Sequence, residues 1–158
     1  MSWLSRWVRR GFRPDVIDHP RAEPAHLRLG RWGEDQAARF LTQRGYRILE
    51  RNLRLGRRSE LDLVAARKGV LVFVEVKTVR RTGPVRPAAR INRRKKQALA
   101  RAVDGYLRRL RTMPRAIQCD VIEVIGAPEG PPPEIRHLEA PFRLEGHRHW
   151  QWAAGELH

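Results

Sequence analysis

Residues 59–77 read Ser-Glu-Leu-Asp-Leu-Val-Ala-Ala-Arg-Lys-Gly-Val-Leu-Val-Phe-Val-Glu-Val-Lys. Two runs rich in Val, Leu and Phe, 60–66 and 70–78, flank Gly69, and this pattern predicts a β-hairpin. Side chains alternate along a strand, so Leu71, Phe73, Glu75 and Lys77 share one face while Val72, Val74 and Val76 share the other. Glu60 and Asp62 likewise share a face, opposite Leu61 and Leu63. Charged residues inside strands otherwise built for burial are the strongest constraint in the chain, because an unpaired buried carboxylate is costly.

The register follows if Lys68-Gly69 forms a two-residue loop, with Arg67 opposite Val70. Counting back sets Asp62 opposite Glu75 and Glu60 opposite Lys77, on one face and with Cβ atoms about 5 Å apart. A loop longer by one residue would put Asp62 and Glu75 on opposite faces. Two opposed carboxylates repel, and either a divalent cation or Lys77 would offset the repulsion.

A length of 158 residues suits a single domain. The net charge of +16 points to an anionic partner, although only Lys68, Lys77, Lys95 and Lys96 of the 33 basic residues are lysine, a bias that genome composition can also produce. Cys119 is the single cysteine, which excludes an intrachain disulfide. No apolar run is long enough for a membrane span and no signal-type segment opens the chain, so a cytoplasmic protein is expected.

The chain divides into a basic tail over 1–28, a domain over 29–144 and a second tail over 145–158 that carries Trp150 and Trp152. Trp3, Leu4, Trp7 and Val8 could line a short membrane-surface helix, but a mobile tail is the preferred reading. The spacing of Ala37, Ala38, Phe40 and Leu41 predicts a helix over 30–44 that stops at Gly45, with Glu34 in its first turn, where an acid complements the helix dipole. A strand is expected over 46–55 and a basic loop over 79–90. A second helix over 91–111 buries Ile91, Leu99, Val103, Tyr106, Leu107 and Leu110. Further strands are expected over 116–125 and 135–138. Between Arg80 and Arg115 there are thirteen Arg or Lys and one acid, Asp104. Nucleic-acid binding is preferred to a merely solvated face, since phosphate would relieve the repulsion among these residues. His147 and His149 are read as tail residues rather than metal ligands.

Asp62 followed by Glu75-Val-Lys77 resembles the Asp…Glu-x-Lys signature of the PD-(D/E)xK nucleases. More narrowly, the chain resembles the YraN family of bacterial nuclease-like proteins, related in fold to Holliday junction resolvases. Gly30-Arg-Trp-Gly-Glu34, 37–46, Asn52, 60–65, 73–77, Lys96-Gln97, Asp120-Val121 and 135–142 carry this resemblance. It implies an α/β fold with a restriction-endonuclease-like core: a three-stranded antiparallel meander extended by one or two strands and flanked by helices. It implies a metal-dependent endonuclease acting on DNA, branched DNA included, with Asp62, Glu75 and Glu34 holding Mg²⁺ or Mn²⁺ and Lys77 assisting the attacking water. Arg93, Arg94, Lys95 and Lys96 are the expected nucleic-acid contacts, with Lys96 favoured by the resemblance, and a homodimer is expected from junction-cleaving relatives. Ser59, Val79 and Gln118 depart from the family's usual Gly, Arg and Arg. The competing reading is a non-catalytic nucleic-acid-binding module that keeps the nuclease fold.

Overall fold

The computed structural model describes residues 23–55, 60–81 and 93–140. Their order is α1 (Ala25–Gln43), β1 (Arg47–Arg54), β2 (Glu60–Arg67), β3 (Val70–Val79), α2 (Arg93–Leu107), β4 (Ala116–Ile125) and β5 (Glu134–Leu138). One five-stranded sheet carries the strands in the order β1-β2-β3-β4-β5. The first three form an antiparallel meander, β4 runs parallel to β3, and β5 returns antiparallel. The mixed α/β sheet flanked by helices is therefore as expected. Both expected tails, the loop beyond Arg81 and Ile91 lie outside the described residues, apart from the tail's inner end.

That inner end is helical, which corrects the expected start of α1. Pro24 precedes the first helical residue with φ −51°, and its carbonyl accepts the N–H groups of Leu27 and Arg28. Proline's fixed φ suits such a start. The consequence falls on Glu34, which sits mid-helix rather than in the first turn, so the helix dipole does not account for it.

The β2–β3 turn is as counted. Arg67 pairs with Val70, and Lys68 and Gly69 both have positive φ, 48° and 84°. This is the backbone that matches strand twist in a two-residue hairpin. Alternation then divides the core. Val72, Val74, Leu63 and Ala65 pack with Ala37, Ala38 and Leu41 of α1, while Leu71, Phe73 and Val64 pack with Leu99, Val103 and Tyr106 of α2. The α1 helix lies close on β3 because Gly33 has no side chain: a Cβ there would sit 1.8 Å from Thr78 Oγ1. The Gly33–Glu34 pair of the family-like pattern thus has a packing reason for its glycine.

Candidate acid–lysine site

The β2–β3 ladder runs from Arg67↔Val70 to Leu63↔Val74. One step further, where Asp62 was counted opposite Glu75, the pairing gives way: Asp62 Oδ2 accepts the backbone N–H of Val76 at 2.7 Å. The backbone donor compensates the Asp62 carboxylate there. Glu60 is exposed and lies 3.7 Å from Arg54 across β1–β2, and the β2–β3 ladder, which ends at Leu63↔Val74, does not pair it with Lys77 as expected.

Glu75 is 2 % exposed. Its Oε1 accepts Lys77 Nζ at 2.6 Å, as two residues on one strand face allow, and lies 3.0 Å from Lys95 Nζ on α2. Its Oε2 is buried with no hydrogen-bond partner among the described residues. The pKa of Asp62 is raised from its ordinary value near 3.8 to about 7, first by burial and then by the charge of Glu75. Burial pulls Lys95 down, but Glu75, Asp62 and Glu60 outweigh it and the net shift is upward.

Of the 93–96 run, Lys95 is thus brought against the acid pair, with its Nζ on Glu75. Arg93 and Arg94 are exposed, and Lys95 and Lys96 are half-buried. Glu34 stands at the rim. Burial raises its pKa, while a side-chain hydrogen bond with Asn52 opposes the rise, and its charge is felt at Asp62. Asn52 has φ 51°, a left-handed backbone that asparagine tolerates, beside the irregularity in β1 between Ile48 and Glu50. No group of three His, Cys, Asp or Glu side chains among the described residues is arranged to hold a metal ion, so Glu34 does not complete a cage with Asp62 and Glu75.

Two buried acids were not among the expected site residues. Glu123, on β4, is fully buried and directly alongside Lys77 in the parallel register, with Oε2 3.9 Å from Arg136 Nη1 on β5. An acid inside an apolar run was the available signal. On the opposite, α1 face, Asp120 is 0 % exposed; its Oδ1 accepts Gln118 Nε2 at 2.7 Å and the Ala140 N–H at 2.9 Å, and its Oδ2 lies 2.8 Å from His137 Nε2. The His137 ring packs edge-on against Phe40 and Tyr46. Burial pushes the Cys119 thiol far up, which makes it unsuited to nucleophilic chemistry.

Residues 33–124, from the close-packing glycine of α1 through β4, match the uncharacterised protein family UPF0102. The chain belongs to the UPF0102 family. This is the family of the YraN proteins. The UPF0102 protein of Symbiobacterium thermophilum is 47% identical over 103 residues, covering 65% of this chain and 86% of its own length. That of Syntrophotalea carbinolica is 42% identical over 123 residues, 76% of this chain and 95% of its own. That of Rhodococcus opacus is 38% identical over 117 residues, 74% and 98%. The UPF0102 match contains Glu34, Asp62, Glu75, Lys77, Lys95, Asp120 and Glu123, and stops short of Arg136 and His137.

Proposed function

We propose that this protein is a metal-dependent endonuclease that hydrolyses phosphodiester bonds in DNA, branched DNA included. The observation that carries the reading is the buried Glu75 carboxylate, with one oxygen held by lysine ammonium groups and the other without a partner among the described residues, beside Asp62. The order α1-β1-β2-β3-α2-β4 is read, on the PD-(D/E)xK resemblance, as a restriction-endonuclease-like core. With this reading go a cytoplasmic location and, for branched substrates, a homodimer that presents one site to each strand.

The donor set fits Mg²⁺ or Mn²⁺. These ions take oxygen ligands, and Mg²⁺ is commonly held by one or two carboxylates with the substrate phosphate completing the shell. Asp62 and Glu75 would hold the ion, and Glu75 Oε2, buried and without a hydrogen-bond partner among the described residues, is the atom available to it. When bound, the ion supplies charge against the phosphate and lowers the pKa of a bound water. Lys77, tethered on the same strand as Glu75, would orient the attacking water and stabilise charge gathering on the phosphate oxygens. Water oxygen bonds to phosphorus, the bond to the leaving sugar oxygen breaks, and that oxygen takes up a proton. The exposed Arg93 and Arg94 would contact the phosphate backbone.

The test is incubation of the full chain with branched, duplex and single-stranded DNA in Mg²⁺ or Mn²⁺. Cleavage by the wild type and none by Asp62→Ala is expected; no cleavage of any form by the wild type overturns the reading. One observation favours a second reading, a nucleic-acid-binding module without catalysis: Lys77 and Lys95 both supply positive charge to Glu75. Salt-sensitive DNA binding with no cleavage and no thermal shift on adding Mg²⁺ would select it.

A further inference from the structure

The two lysines on Glu75 Oε1 are not equivalent. Lys77 is two residues from Glu75 on the same strand, at 2.6 Å, and stays on that strand face. Lys95 comes from a different element, α2, at 3.0 Å, and its side chain is 36% exposed. A lysine stem is flexible and its ammonium is readily rehydrated. The acids that attract Lys95, chiefly Glu75 and Asp62, are the two proposed to hold the metal. We propose that Lys95 is an exchangeable counter-ion: it neutralises the acid pair while no divalent cation is present, and the cation must displace it. The inference rests on the metal-binding part of the reading above and adds a residue that controls how readily the metal loads.

The argument is electrostatic. An ammonium held 3.0 Å from Glu75 Oε1 and a divalent ion beside the same carboxylate are like charges at close quarters. Such charges repel by kilocalories even at a high effective dielectric. Lys77 meets the same repulsion, but its backbone is fixed on the strand that carries Glu75, whereas Lys95 reaches the acid from α2; the side chains are 29% and 36% exposed. Removing the Lys95 charge should therefore weaken the metal-free protein and strengthen metal binding, two effects of opposite sign from one substitution. A lysine serving only to contact phosphate would produce neither.

The experiment measures Mn²⁺ affinity by calorimetry, and melting temperature in EDTA, for the full-length wild type, Lys95→Met and Lys95→Arg. The expected result for Lys95→Met is Mn²⁺ affinity raised about tenfold, together with a lower melting temperature in EDTA and a larger rise on adding Mn²⁺. Lys95→Arg keeps the charge and should bind Mn²⁺ as the wild type does. If Lys95→Met fails to fold, Lys95→Gln replaces it in the same measurements. Mn²⁺ affinity unchanged or reduced in the neutral variant, or no Mn²⁺ binding by any form, overturns the proposal. Tighter Mn²⁺ binding by Lys95→Met, with no DNA cleavage by any form, upholds the counter-ion and overturns only the nuclease reading.

Discussion

Two carboxylates are buried on opposite faces of the same sheet, and the sheet treats them differently. Asp120, on the α1 face, is met by a side-chain amide, a backbone N–H and an imidazole nitrogen. Glu75, on the α2 face, has one oxygen shared by two ammonium groups and the other without a hydrogen bond among the described residues. A carboxylate whose oxygens are filled by fixed neighbours ties β4 to β5 and to the turn at Ala140. A carboxylate with one buried oxygen unpartnered among the described residues, beside a second acid pushed up to about 7, has acceptor capacity left over. Burial alone therefore does not mark a site.

The comparison is broken most forcefully from the Asp120 side. Asp120→Ala should lower unfolding free energy by about 3–5 kcal/mol, because it strips partners from Gln118 and His137 inside the fold. Urea denaturation measures this, and a loss below about 1 kcal/mol would mean that Asp120 is not the structural member of the pair. Lys77→Ala should reduce any cleavage about 10²–10³-fold while keeping the thermal shift on adding Mg²⁺, since it removes charge stabilisation without removing a metal ligand. Loss of the shift along with activity would instead make Lys77 part of the ion's support.

Asp62→Asn sharpens the comparison by pH. The folded pKa of Asp62, about 7, lies above its ordinary 3.8. Between those values the folded protein holds the proton more often than the unfolded chain does. The stability it contributes is thus complete below about pH 4 and is lost as pH rises through about 7. Asp62→Asn should stabilise the metal-free protein by about 1–2 kcal/mol at pH 8, a discounted share of the shift, and flatten the decline between pH 4 and 7. An unchanged pH profile in thermal melts would contradict the burial of Asp62 and its crowding by Glu75. The smallest effect belongs to the exposed basic pair. Arg93→Ala with Arg94→Ala should weaken DNA binding for every sequence and reduce the slope of log affinity against log salt by about 2. An unchanged slope would place the phosphate path elsewhere.

Much of this was legible in the residues themselves. The turn at Lys68-Gly69, the parity that puts Glu75 with Lys77 and Val74 with the core, and the strand over 116–125 depend on periods of two and on one glycine, which are local properties of sequence. Glu34 was legible as a residue but not as a position. The start of α1 at Ala25 moved it to mid-helix, and the contact of Gly33 with Thr78 set its distance from the sheet.

Tertiary structure alone decided which partners the charges found. The parallel pairing of β3 with β4 brings Glu123 beside Lys77 although they are far apart in sequence, and the packing of α2 sets Lys95, one of four consecutive basic residues that point all round a helix, on Glu75. The β4–β5 pairing converts His137, one histidine among six, into a partner of a buried aspartate. Local sequence sets which face a side chain occupies because backbone geometry repeats every few residues. Which charge stands next to which depends on how distant segments are docked, and no local period carries that information.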